Sequence, residues 1–444
     1  MLLSLFVAVK HFSMKSIFIF LFLFSNLLHA QGNQNFVQTN KMQFTIAGKP
    51  YYYIGTNYWY GGLLALQQDS AKGKERLIKE LDFMQSQGVN NLRVLVGAEG
   101  TGIINGVKRV APALQPEQGI FREENLHGID FLLTEMSKRN MKAVLYVSNN
   151  WEWSGGFLQY LNWNGLIADS TLKRKPDWDE LRDQVSKFYF CDPCKAAYEK
   201  QVRFILAHTN IYSGLQYIND PAIMSWEIAN EPRPMRPAAI ADYKKWIHSV
   251  STLIKSIDKN HLLTIGTEGT IGTENNDDLY EEIHKPALID YLTIHIWPKN
   301  WAWFSDTSIA RDLPAVIQKT TAYIQKHEQV AAKLHKPLVI EEFGLPRDGV
   351  SFAAGSSTRL RDIYFKSIFD MQQKSIAING AIAGVNFWAF GGTARPKPNQ
   401  LFWNEGDDYM GDPPQEEQGL NAVFDTDHST WNIIRYFTGK LKLK

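Results

Sequence analysis

Trp226-Glu227-Ile228-Ala229-Asn230-Glu231-Pro232-Arg233 and Leu338-Val339-Ile340-Glu341-Glu342-Phe343-Gly344 are short apolar runs that stop at carboxylates, with a proline or glycine close behind. Buried parallel strands read as continuous apolar runs, and in a barrel of alternating strands and helices the chemistry sits where such strands end. The two stretches therefore predict two strands of one parallel sheet, each delivering an acid to the same face.

With these two included, runs of this kind occur at Tyr52–Tyr58, Asn91–Val96, Lys142–Val147, Ile223–Glu227, Leu262–Gly266, Tyr291–His295, Leu338–Glu341 and Gly384–Phe387. Helical periodicity fills the intervals, for instance at Lys74–Gln87, His127–Arg139, Ala196–His208, Ala239–Ser256, Ile309–Leu334 and Thr358–Gln373, with a last helix from near Ser429. Eight strands each followed by a helix predict an α/β fold, a single closed (β/α)8 TIM barrel. No glycine-rich phosphate loop follows the first strand, which argues against a dinucleotide-binding sheet. No linker-like tract or internal repeat divides the chain, so one catalytic domain over residues 31–444 is expected. The length beyond a minimal barrel falls in segments 96–126, 149–192, 267–290 and 389–425, all after strands and rich in Trp, Tyr, Asn and Gly. These would wall a cleft at the C-terminal face.

Residues 1–30 read as a signal peptide. Lys15 precedes an apolar stretch from Ile17 to Leu28, then His29-Ala30 and a polar Gln-Gly-Asn-Gln, with Met14 as an alternative start. The stretch is short for a membrane span, and no cysteine follows it to carry a lipid. Cleavage near Ala30 and a secreted or periplasmic product are expected, with a membrane anchor as the alternative. The 47 basic and 46 acidic residues leave a net charge of +1, which gives no electrostatic reason to bind nucleic acid. Thirteen tryptophans offer flat amphipathic surfaces suited to sugar rings. The only cysteines, Cys191 and Cys194, favour a local disulfide in an oxidising compartment, with free thiols the alternative.

Two facing acids are the minimum apparatus for breaking a glycosidic bond. Glu231 ends strand four and Glu342 ends strand seven, so a barrel sets them across its mouth. A gap of about 5–5.5 Å would mean retention of configuration, and one of about 6.5–9.5 Å inversion. Beside Glu342 stands Glu341, which strand alternation would point to the opposite side.

The segments 226–233 and 342–344 resemble glycoside hydrolase family 5. With Ile54-Gly55-Thr56-Asn57-Tyr58-Trp59-Tyr60, Asn90-Asn91-Leu92-Arg93-Val94 and Asn149-Asn150-Trp151-Glu152-Trp153-Ser154-Gly155-Gly156, the chain is similar to endo-β-1,4-mannanases of the plant- and fungal-type branch. The resemblance implies Glu231 as general acid/base and Glu342 as nucleophile, with Arg93 holding Glu342 ionised and Asn230 meeting the sugar 2-hydroxyl. It implies His295 and Trp297 near the acids, although Trp297 stands where many relatives carry a tyrosine. Trp388 would floor the site, and Trp59 and Trp151 would line neighbouring subsites. No cofactor or metal is implied. The expected partner is a β-mannan-type polysaccharide or oligosaccharide, bound by a monomer. Alternatives are a β-1,4-glucanase, an exo-β-mannosidase of the same fold, and a non-catalytic carbohydrate-binding barrel.

Overall fold

The computed structural model describes residues 35–442, so the segment read as a signal peptide lies outside the described residues. Its centre is a parallel barrel of β1 (Tyr53–Asn57), β2 (Asn91–Leu95), β3 (Lys142–Tyr146), β4 (Ile223–Glu227), β5 (Leu262–Thr264), β6 (Leu292–Ile296), β7 (Leu338–Phe343) and β8 (Ile382–Phe387). Pairing runs β5-β4-β3-β2-β1-β8-β7-β6. The remaining seam, β5 to β6, is bridged by Asp290 N–H to the Leu263 carbonyl at 2.8 Å and His295 N–H to the Glu268 carbonyl at 3.1 Å. All eight strands stand where apolar runs predicted them, each nearly fully buried, as expected of strands covered on both faces.

Strand β5 ends two residues earlier than expected for a reason that matters to the site. Gly266 turns out of the ladder at φ +83°, and its carbonyl accepts the Glu231 N–H at 2.9 Å. A Cβ there would lie 2.1 Å from Glu227 Oε1, so only glycine lets the two strand ends approach.

Three features were not expected from the sequence. An antiparallel sheet of Val37–Asn40, Gln43–Ile46 and Lys49–Pro50 closes the barrel floor, with Phe44 stacked against Tyr53 and edge-on to Tyr291. Segment 149–192 holds helices Gly156–Trp163, Asp169–Lys173 and Trp178–Ser186 rather than a plain loop. Helix Asp277–His284 lies inside segment 267–290. Cys191 and Cys194 are joined by a disulfide at the start of helix Asp192–Leu206. Among the described residues no helix is long and apolar enough to cross a membrane.

Candidate active site

Beyond Glu227 the chain leaves β4 but stays pinned: Ile228 N–H reaches the Thr264 carbonyl at 3.1 Å and Asn230 N–H the Ser148 carbonyl at 2.9 Å. Glu231 then takes a left-handed backbone, φ +53°, which for a residue other than glycine costs about 1–3 kcal/mol and persists only where surroundings impose it. The turn aims its carboxyl into the barrel mouth.

Strand β7 carries a bulge. Ile294 pairs with Ile340 and His295 with Glu342, which leaves Glu341 as the extra residue. The expectation that the two acids point to opposite sides therefore fails. Both face inward, with Glu341 Oε2 lying 3.7 Å from Arg93 Nε and 3.4 Å from His295 Nε2. A bulge re-aims side chains in this way. What separates the two acids is access: Glu342 lines the cleft, whereas Glu341 lies beneath it with Oε1 unpartnered.

Arg93, on β2, is fully buried and spends its five N–H groups on this cluster. Nε donates to Glu227 Oε2 at 2.8 Å, Nη2 to Glu227 Oε1 and, at 2.7 Å, to Asn230 Oδ1, and Nη1 to Glu342 Oε1 and, at 3.1 Å, to Asn57 Oδ1. The Tyr146 ring lies beneath it, 4.6 Å from the guanidinium carbon. Burial pushes the proton affinities of Glu227, Glu231, Glu341 and Glu342 upward, and neighbouring carboxylates push Glu342 further against the pull of Arg93. Arg93 and Arg233, the latter engaged by Glu268, are outnumbered by the buried acids around them, which favours the protonated forms of those acids. Direct guanidinium contact favours the charge on Glu342, while Glu231 has no cation within hydrogen-bond reach.

A Glu231 oxygen, a Glu342 oxygen and a ring nitrogen of His295 all lie within 4.8 Å of one another. His295 Nδ1 is 2.6 Å from Glu231 Oε1 and 3.4 Å from Glu342 Oε2. Burial lowers its pKa to about 4, so the imidazole is neutral near pH 7. The Trp151 indole N–H donates to Glu231 Oε2, and the Trp297 indole N–H donates to Glu342 Oε2 at 3.1 Å. Trp297 thus offers an N–H to the carboxylate where a tyrosine would offer a hydroxyl.

Of the residues singled out in the sequence, Trp151, Asn230, Glu231, Trp297, Glu342 and Trp388 line one cleft of about 520 Å³, with Arg93 and His295 beneath it. Trp388 packs edge-on to Trp297, ring centres 5.6 Å apart. Trp59 is not brought there. It is fully buried, donates to the Gly411 carbonyl at 2.9 Å and packs edge-on against Trp153 and Tyr409, because it leaves β1 toward the wall built by segment 389–425.

Sequence reading missed Arg233, Glu268, Trp178 and Glu416, all lining the cleft. Arg233 forms a two-pronged ion pair with Glu268, one prong at 2.6 Å, and lies over the rings of Trp151 and Trp178. Its place two residues after Glu231 was a usable signal, but nothing in the sequence marks Trp178 or Glu416. Among the described residues, Glu231, His295 and Glu342 are the one acid and imidazole group close enough to share an ion. Their oxygens already accept N–H groups from Trp151, Trp297 and the Arg93 cation, a donor set that does not fit a metal.

A family model described as glycoside hydrolase family 5 β-mannosidase-like matches residues 34–444. Among curated proteins, mannan endo-1,4-β-mannosidase 7 of Arabidopsis thaliana is 28% identical over 422 residues, covering 92% of this chain and 86% of its own. Mannan endo-1,4-β-mannosidase 4 of Solanum lycopersicum is 29% identical over 381 residues, covering 82% and 86%. Among solved structures, a glycoside hydrolase family 5 mannosidase from Rhizomucor miehei superposes with a TM-score of 0.83 at 29% identity, covering 93% of this chain and 98% of its own.

Proposed function

The chain belongs to the β-mannosidase-like group of glycoside hydrolase family 5, and from that premise we propose that this glycoside hydrolase cleaves the internal β-1,4 bonds of mannan, galactomannan or glucomannan with retention of configuration. The observation that carries the retaining reading is the short gap between Glu231 and Glu342, with oxygens within 4.8 Å. An inverting enzyme needs a water between its acids and a gap of about 6.5–9.5 Å.

In the proposed reaction Glu342 attacks C1 of the sugar while Glu231 protonates the departing glycosidic oxygen. A covalent glycosyl-enzyme results, and Glu231, now ionised, takes a proton from the water that releases the sugar. Arg93 and the Trp297 N–H favour the charged nucleophile. Asn230 accepts from Arg93 Nη2 on Oδ1 and donates one Nδ2 proton to Asn149 Oδ1 at 3.0 Å, leaving its second N–H for the sugar 2-hydroxyl. Trp388 supplies the apolar floor. Plant relatives named as mannan endo-1,4-β-mannosidases support the substrate.

A second reading, stepwise removal of single mannose units from oligosaccharides, is favoured by the close likeness to the Rhizomucor miehei mannosidase. The test is incubation with mannopentaose, mannan and carboxymethylcellulose, following products by chromatography and the first-formed anomer by NMR. Release of mixed manno-oligosaccharides with β-anomer first supports the internal-bond reading, mannose alone supports the second, and α-anomer first overturns retention. Export is part of the proposal, and N-terminal sequencing of the protein from culture medium or periplasm tests cleavage near Ala30.

A further inference from the structure

Glu99, in the segment after β2, is a fully buried carboxylate outside the cleft. Its oxygens are held by neutral donors. Oε1 accepts Ser148 Oγ–H at 2.8 Å and Gln201 Nε2–H at 2.8 Å, and Oε2 accepts the Gly156 N–H at 3.1 Å. The nearby cation, Arg109, gives Nη1 to the Glu99 carbonyl and to Gln159 Oε1 instead. The facing ionisable side chains Tyr160 and Tyr198 are themselves held neutral by burial. Burial pushes the Glu99 pKa up to about 7. A buried carboxylate without a partner cation is costly, and a neutral residue of the same shape would cost less.

The groups Glu99 grips bound one short stretch. Ser148 opens it and Gly156 ends it, while Glu99 N–H also binds the Ser154 carbonyl at 2.8 Å. Gly155, at φ +101°, presses so close that a Cβ would lie 2.0 Å from the Glu99 carbonyl oxygen. Inside the stretch, Asn149 Oδ1 accepts Trp151 N–H and Asn230 Nδ2–H, each at 3.0 Å, and the Trp151 indole N–H sits on Glu231. Covalent and hydrogen bonds therefore run without a break from the Glu99 carboxylate to Asn230 and Glu231, beyond the end of β4.

We propose that Glu99 is a positioning residue for Glu231, its carboxylate clamping residues 148–156 in the shape that sets the Trp151 N–H on the acid/base. The proposal rests on the assignment of Glu231 as acid/base made above. A hydrogen bond from Trp151 favours charged Glu231 and so lowers its proton affinity. Arg233 and Arg93 act in the same direction on Glu231, and neither depends on Glu99.

The test is Glu99→Gln, with Ser148→Ala as a milder variant that keeps the charge, and Val250→Ala, in helix Ile240–Ile257, as a destabilised control. The Glu231 carboxyl is titrated by 13C NMR with Glu231→Gln for assignment, a readout that needs no substrate. Glu99→Gln is expected to raise the Glu231 titration by about one pH unit, Ser148→Ala by less, and Val250→Ala not at all. On a manno-oligosaccharide, kcat/KM of Glu99→Gln falls about 10-fold, whereas on 2,4-dinitrophenyl β-mannoside, whose leaving group needs no proton, it falls less than about 2-fold. Glu99→Gln combined with Trp151→Phe is no worse than Trp151→Phe alone. An unchanged Glu231 titration, or losses that multiply in the double variant, overturns the proposal. Absence of turnover on every mannoside overturns the substrate reading and leaves the titration to decide the clamp.

Discussion

Trp297 donates its indole N–H to Oε2 of Glu342 at 3.1 Å, on the oxygen opposite to the one Arg93 holds. The carboxylate is thus fixed from both sides, with its charge favoured by a cation and by a neutral donor. Trp297→Phe removes the donor and leaves a smaller aromatic ring against Trp388. A hydrogen bond to a charged group contributes about 1.5–3 kcal/mol, so kcat is expected to fall about 10- to 100-fold in a variant that is still folded at the assay temperature. Steady-state kinetics beside thermal unfolding checks this; an unchanged kcat would show that Arg93 alone sets the charge of Glu342.

Arg93 stands under a heavier load, because its guanidinium faces Glu227, Glu341 and Glu342 together. Removing one partner of a buried ion pair costs about 3–5 kcal/mol, and Arg93→Met leaves three acids without a cation. The variant should lose at least that much by urea unfolding at pH 7. Because the penalty falls on ionised carboxyls, the gap to the parent narrows as pH drops from 7 to 5 and they take up protons. A gap that is flat with pH would contradict the cluster electrostatics.

How much of this was legible depends on what each residue's position is made of. The eight strands were, because burial on both faces writes itself as short apolar runs, and their alternation with amphipathic helical segments marks them as strands. The convergence of Glu231, Glu342, Arg93 and Asn230 was, because they sit on those strands or within a few residues of them. The bulge at Glu341 was not, since one extra residue in a ladder leaves no mark in composition, and alternation assigned that side chain to the wrong side. Trp59 failed for a related reason: its orientation is set by Gly411, 352 residues away, which no local pattern reveals. Trp178 and Glu416 were hidden because they enter the cleft on long insertions whose paths are fixed by tertiary contacts.

His284 is buried, donates Nδ1–H to the Tyr280 carbonyl at 2.8 Å and leaves Nε2 without a partner. Burial lowers its pKa to about 3. A histidine whose folded pKa lies below its unfolded value of about 6.5 stabilises fully above that value, and the contribution is lost as pH falls through the window down to the folded pKa. His284→Gln cannot take up that proton. Whatever it costs at pH 7, it should gain about 3 kcal/mol on the parent between pH 7 and pH 4. Denaturant midpoints at both pH values measure the gain, and equal slopes for the two proteins would refute buried neutral His284.

Trp178 is 51% exposed, yet its ring lies 6.2 Å from that of Trp151 with Arg233 over both. Arg233 cannot swing away, because Glu268 holds it by two prongs. The surface they build lies on the side of Glu231, where the proposed reaction releases its leaving group. On that reading the exposed indole contacts the leaving-group sugars and not the sugar undergoing attack. Trp178→Ala should therefore raise KM about 2- to 10-fold for mannotriose and longer chains, the loss of one aromatic contact of about 0.5–1.5 kcal/mol. Values for a simple aryl mannoside, which has no sugar beyond the cleaved bond, should stay the same. Because Trp178 touches neither acid, kcat on the long substrate is expected to hold, and a fall in kcat with KM constant would place the ring in the reaction itself.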